Sequence, residues 1–190
     1  ILSPDILDNV RLGSINFHPS LLPNYRGGSP LEEQILCGET AGGMTAHWLT
    51  EEVDQGDIIS AQEIIIGPDD NYLALYERTH KAAGELMAQL LKIKPQFWPR
   101  IETSIDTSIY RPRSASDGKI YWDQDAEKIH RLVRALGWRG WVRSSIGPDQ
   151  YLVIEEALVV AGAPQYWMPG LILEAEPYPL IGTAKGLLRL

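Results

Sequence analysis

An asparagine and a histidine two positions apart, Asn16 and His18, stand in SINFHPSLLPNYRGG (residues 14–28), where a short apolar strand runs into a loop of Pro, Asn and Gly. Alternate residues of a strand share a face, so both polar side chains point one way and Phe17 packs the other. In an open α/β sheet such a pair, at a strand end beside a stiff loop, marks a ligand crevice. A third polar group comes from Val53-Asp54-Gln55-Gly56-Asp57, a turn between two later strands. A carboxylate there orients an imidazole and favours its charged form, and an amide N–H₂ steadies an oxygen that gains negative charge. With no Ser or Cys nucleophile among them, Asn, His and Asp suit acid–base catalysis of attack by an external amine or water. The same residue types also read as a turn cap, a satisfied imidazole and a hairpin brace.

The elements that must carry these groups follow from periodicity and punctuation. Pro4-Asp5 after Ser3 starts a short helix to Val10, and residues 14–17 form a strand. Ser29-Pro30 opens a second helix that Gly38 closes. Residues 44–49 alternate, with Met44, Ala46 and Trp48 on one face and Thr45, His47 and Leu49 on the other. Residues 57–66 return as a β-branched strand. Asp69 or Asp70 caps the longest helix, with Leu73, Tyr76, Ala83, Leu86, Met87 and Leu90 as its apolar set. Residues 95–117 lack periodicity and read as a linker.

A second unit follows. A helix capped by Asp123 or Asp125 buries Ile129, Leu132, Val133 and Leu136 and ends at Gly137. Short strands at 141–146, 151–160, 170–174 and 187–190, separated by Gly and Pro, suggest a small barrel. His80 and His130 fall on helices without an evident partner.

Composition bounds the rest. The 190 residues suffice for one large or two small domains, and 44% hydrophobic with 22% charged content is ordinary for a globular chain. The net charge of −8 is uneven: residues 1–107 hold 7 Lys+Arg against 16 Asp+Glu, and residues 108–190 hold 10 against 9. That balance argues against strong nonspecific nucleic-acid binding. The single Cys37 excludes an internal disulfide and points to a reducing, cytoplasmic setting. No run approaches the roughly 20 apolar residues of a bilayer span, so no membrane contact is expected. His18, His47 and Asp54 have metal-ligand chemistry, but Asn16 is a poor fourth ligand and Cys37 lies on a helix; the expectation is no metal.

Asn16-x-His18-x-Ser20-Leu21-Leu22-Pro23, Arg26-Gly27, and Val53-Asp54-x-Gly56-Asp57 after a Thr45-x-His47 strand together resemble the folate-dependent formyltransferases. That family includes methionyl-tRNA, glycinamide ribonucleotide and sugar-amine formyltransferases, and formyl-tetrahydrofolate hydrolases. Residues 118–136 and Pro169-Gly170-x-Ile172-Leu173 more loosely resemble the C-terminal domain of the methionyl-tRNA and sugar-amine branches. The resemblance implies an α/β fold: the C-terminal part of a Rossmann-like formyltransferase domain (1–107, its N-terminal strands missing), then a small OB-like barrel domain (108–190, itself open to truncation), within a chain cut from a larger multidomain protein. It implies 10-formyltetrahydrofolate as donor and a primary amine as acceptor: methionyl-tRNA, which the charge does not favour, an amino sugar or a carrier-bound aminoacyl group. Asn16, His18 and Asp54 would be catalytic; Ser20, Leu21, Leu22, Pro23 and the Asp54 turn would contact the folate. Thr45, His47 and Arg26 would support them, Arg26 by meeting an acceptor anion or by a structural ion pair. A hydrolase releasing formate from the same donor, and a binding module without chemistry, are the alternatives. Gly137-Trp138-Arg139-Gly140-Trp141 departs from the Pro-Trp-Pro-like turn common in relatives.

Overall fold

The computed structural model describes residues 4–103, 109–161 and 167–190. The Ser3 cap and the boundary expected at Thr107 lie outside the described residues. The chain divides into two compact units. One draws on Ile1–Gln34, Glu39–Pro68 and Leu73–Pro112, the other on Ile35–Gly38, Asp69–Tyr72 and Arg113–Leu190.

In chain order, α1 spans Pro4–Asp8, β1 Ile15–His18, β2 Arg26–Gly27, α2 Pro30–Cys37, β3 Ala41–Trp48, β4 Ile58–Ile65, α3 Tyr72–Leu90 and β5 Ile109–Tyr110. β3 is the middle strand of a wholly antiparallel sheet, β1-β3-β4. The turn between β3 and β4 is too short for a parallel crossover, which fixes their direction. Among the described residues the first unit is α/β with an antiparallel sheet. β3 is buried on both faces, as a central strand should be. On one face Ala46 and Trp48 pack with Ile59 and Leu90, against Ile15, Phe17 and Trp98. Phe17 thus turns into the core, leaving Asn16 and His18 on the opposite face.

Helix α3 buries Leu75, Thr79, Ala82, Leu86 and Leu90. This stripe is rotated by about one residue from the expected set, leaving Leu73 and Tyr76 at 48% and 41% exposure. The Thr79 hydroxyl satisfies itself on the Tyr76 carbonyl at 2.8 Å. The expected linker is also better anchored than its texture suggests. Ile101 bridges Ile58, and β5 pairs in parallel with β2, Arg26 opposite Ile109 and Gly27 opposite Tyr110. Such isolated pairings leave no period in the sequence.

The second unit is built on α4, Ala126–Leu136, which buries Ile129, His130, Val133 and Leu136. Gly137 caps it with right-handed backbone (φ −58°) rather than the left-handed turn glycine usually supplies. Glycine is needed for space, because a Cβ there would lie 2.5 Å from the Glu155 carbonyl oxygen. Strands β6 (Arg143–Gly147) and β7 (Gln150–Val153) form a hairpin. Strands β8 (Leu158–Val160), β9 (Ile172–Glu174), β10 (Leu180–Gly182) and β11 (Leu187–Arg189) form an antiparallel sheet of order β8-β11-β10-β9. Among the described residues the two do not close into a barrel, and the expected OB-like barrel is not confirmed. The long strand expected at 151–160 is two strands, and β10, hidden behind Pro177 and Pro179, was not expected. No described helix is long and apolar enough to cross a membrane.

Candidate active site

The β1–β3 register places Asn16 opposite His47 and His18 opposite Thr45. Directly opposed residues of an antiparallel pair point to the same face, so all four side chains share the side turned away from the core.

His47 is fully buried. Its Nδ1 lies 2.9 Å from the Trp48 carbonyl oxygen, which can only accept, so Nδ1 carries the proton. Nε2 then holds a lone pair, and the Asn16 amide donates to it at 3.2 Å. Burial pushes the His47 pKa below its ordinary 6.5, against the opposing pull of the Trp48 carbonyl and of Asp54, with His18 adding a smaller downward push. The ring is therefore neutral near pH 7, and its 3.6 Å approach to Asp54 Oδ1 is a contact rather than an ion pair.

His18 is held the other way round. Its Nε2 donates to the Tyr25 carbonyl at 2.8 Å. Nδ1 is left to exchange a proton, and it faces Asp54 Oδ2 at 3.4 Å. The expectation was that Asp54 orients His18; the Tyr25 carbonyl does so, and Asp54 faces the other ring nitrogen. Asp54 itself has left-handed backbone (φ 51°) in the β3–β4 turn. Its Oδ2 accepts the Gly27 backbone N–H at 2.8 Å. The turn is drawn in tightly at Gly56, where a Cβ would fall 1.7 Å from the Trp48 carbonyl oxygen. Asn16 and Asp54 line a cavity of about 340 Å³ with Leu7, Leu49, Glu52 and Val53. A second cavity of about 210 Å³ shares Leu7, Leu49 and Thr50 with it.

The structure thus brings Asn16, His18, His47 and Asp54 together. Thr45 and residues 20–23 form a neighbouring, internally satisfied group. The Thr45 hydroxyl donates to the Ser20 carbonyl at 2.6 Å and accepts the Leu22 N–H at 3.1 Å. The Ser20 hydroxyl donates to the Asn24 carbonyl at 2.6 Å. Ser20 and Leu22 are buried, Leu21 and Pro23 are half-buried, and none of the four lines the 340 Å³ cavity. Arg26 is 4% exposed on β2 and does not line it either. Among the described residues no three His, Cys, Asp or Glu are grouped to hold a metal ion.

Three site groups escaped sequence reasoning: the Tyr25 and Trp48 carbonyls and the Gly27 amide. Backbone groups leave no residue signature. Only the glycine at 27 hinted at a close approach, since Gly27 has φ +93°.

Residues 1–91 match the formyl transferase family and residues 113–190 the formyl transferase C-terminal domain. The whole chain is 34% identical to 61% of a methionyl-tRNA formyltransferase from Thermodesulfovibrio yellowstonii. Over 98% of its length it is 36% identical to 29% of the bifunctional polymyxin resistance protein ArnA of Wigglesworthia glossinidia brevipalpis. The chain therefore spans less than two thirds of either relative. The N-formyltransferase of Helicobacter canadensis, solved with folinic acid and dTDP-3-aminofucose, superposes on 92% of this chain and 64% of its own with a TM-score of 0.75 at 22% identity, which shows a shared fold. With both parts matched in order along most of its length, the chain belongs to the formyl transferase family.

Proposed function

We propose that this chain carries the site that transfers a formyl group from 10-formyltetrahydrofolate to a primary amine. The observation that carries the reading is the contact of His18 with Asp54, which shares one cavity wall with Asn16, on strands and a turn that fix each of them. The folate-bound structure of the Helicobacter enzyme supports the choice of donor.

The roles follow from the atoms. The amine lone pair attacks the formyl carbon, a C–N bond forms, and the carbonyl π pair moves to oxygen. Asn16 spends one amide N–H on His47 and has a second for that oxyanion. The nitrogen of the attacking amine becomes acidic and loses a proton to the Asp54–His18 pair. The proton returns to the folate nitrogen as its bond to the formyl carbon breaks, and the formamide is released. The 340 Å³ cavity suits the reacting end of the donor, and Leu21 and Pro23 are the members of the 20–23 loop with side chains open enough to touch the folate.

The acceptor class is a primary amine. Methionyl-tRNA, an amino sugar and a carrier-bound aminoacyl group are its candidates, and the net charge of −8 weighs against a large polyanion. The test is to incubate the full-length protein with the donor and each amine in turn, following deformylated folate and formylated product. Amine-dependent product is the expected result. Rapid formate release without amine would replace the transferase reading by a hydrolase.

A further inference from the structure

We propose that Tyr110 is a positioning residue for the His18–Asp54 pair, acting through the two backbone groups that hold it. The inference deepens the formyl-transfer reading and rests on it for its kinetic arm alone.

The carbonyl that takes the His18 Nε2 proton belongs to Tyr25, and the amide that anchors Asp54 Oδ2 belongs to Gly27. Both therefore sit on one stretch of three residues. That stretch has only the two-residue ladder of β2 to keep it in place: Tyr25 has φ 59°, a left-handed conformation that a bulky residue rarely adopts, and Gly27 has φ +93°. Its support comes from β5. The Tyr110 ring stacks on the Tyr25 ring, centroids 5.5 Å apart and planes at 25°. The Tyr110 carbonyl accepts the Gly28 N–H at 2.8 Å. It lies so close to Gly27 that a Cβ there would come within 2.4 Å of it. On the far side, the Tyr25 hydroxyl donates to Glu39 just beyond α2.

A pair of two-residue strands outside the main sheet, with Ile109 at 54% exposure, adds little to a core. What it does is hold a carbonyl and an amide at fixed positions. Without the Tyr110 ring the Tyr25 backbone is free to leave the left-handed region. Its carbonyl then turns from His18, and the imidazole proton redistributes between Nε2 and Nδ1. The lone pair facing Asp54 is lost in the fraction that carries Nδ1–H.

The experiment is long-range ¹H–¹⁵N NMR of the imidazoles in the full-length protein, with His18 assigned by its loss in His18→Gln. At a pH where the imidazole is neutral, wild type should show His18 as the single Nε2–H tautomer. Tyr110→Ala should show a mixture, with kcat down about tenfold or more and the donor KM within about twofold. Tyr110→Phe, which keeps the stack, should restore the Nε2–H spectrum. Should Tyr110→Ala not fold, Tyr110→Leu keeps the bulk without the stack and should show the same mixture. An unchanged single tautomer in every folded variant that lacks the aromatic ring overturns the proposal, whatever the rates. A changed tautomer in a protein whose wild type transfers no formyl group upholds Tyr110 as the positioning residue and removes the functional reading instead.

Discussion

Asn16 Nδ2 lies 3.2 Å from His47 Nε2, across a register pair of β1 and β3. The Trp48 carbonyl, by taking the proton on His47 Nδ1, decides which histidine nitrogen accepts. That in turn decides which end of the Asn16 amide faces the ring and leaves an N–H for the oxyanion of the proposed reaction.

Asn16→Ala should therefore lower kcat/KM about 10²–10³-fold, the usual loss for one oxyanion donor. His47→Leu keeps a buried side chain but removes the acceptor, and should cost about tenfold in kcat with the donor KM nearly unchanged. His47→Gln, whose amide oxygen can accept the Asn16 N–H, should recover part of the loss. Steady-state kinetics of the three variants checks this.

Burial lowers the pKa of both His47 and His130 below the ordinary 6.5, His130 with help from Arg134. The unfolded chain then binds protons near pH 6.5 that the folded chain does not. Unfolding free energy should fall as pH drops below that value and level off beneath the lowered folded pKa values. Urea titrations from pH 7.5 to 5 should show this slope, and a folded His130→Gln variant should show a shallower one. A wild type equally stable across that range would contradict it.

Gly56→Ala puts a methyl where the Trp48 carbonyl oxygen lies 1.7 Å away. The turn must open and carry Asp54 with it. We expect a loss of about 3 kcal/mol in chemical denaturation, together with a fall in activity. Gly84→Ala, where nothing lies within 4 Å, is the control and should be neutral or stabilising.

Thr45→Val keeps the shape of the side chain but leaves the Ser20 carbonyl and the Leu22 N–H, both buried, without the hydroxyl. A stability cost of about 1–3 kcal/mol follows. If the 20–23 loop contacts the folate as proposed, the donor KM should rise about fivefold while kcat changes less. Isothermal calorimetry with the folate separates this from a purely structural effect.

Side-chain chemistry was legible in the sequence where position and type coincide. Asn16 and His18 announce themselves by period-two spacing at a strand end, and Thr45 and His47 by alternation on the next strand. Asp54 stood out because Gly56 and Asp57 mark a tight turn. The expected order of support was not legible, because Tyr25 and Trp48 act through carbonyls that every residue possesses. Arg26 was read as meeting an acceptor anion or making a structural ion pair; its burial on β2, which pairs with β5, was not legible because charge type does not report burial. That pairing spans 83 residues from Arg26 to Ile109 and leaves no local pattern. The open arrangement of the second unit was equally hidden, since short strands with Pro and Gly between them fit a closed barrel as well as a hairpin beside a sheet.

The central claim is that the His18–Asp54 pair moves the proton of an attacking amine. Single-turnover formyl transfer by full-length His18→Asn, beside wild type, tests it most directly. The account predicts a rate about 10²–10⁴-fold lower, with folate affinity within about threefold of wild type because His18 does not line the cavity. Transfer at the wild-type rate would contradict it.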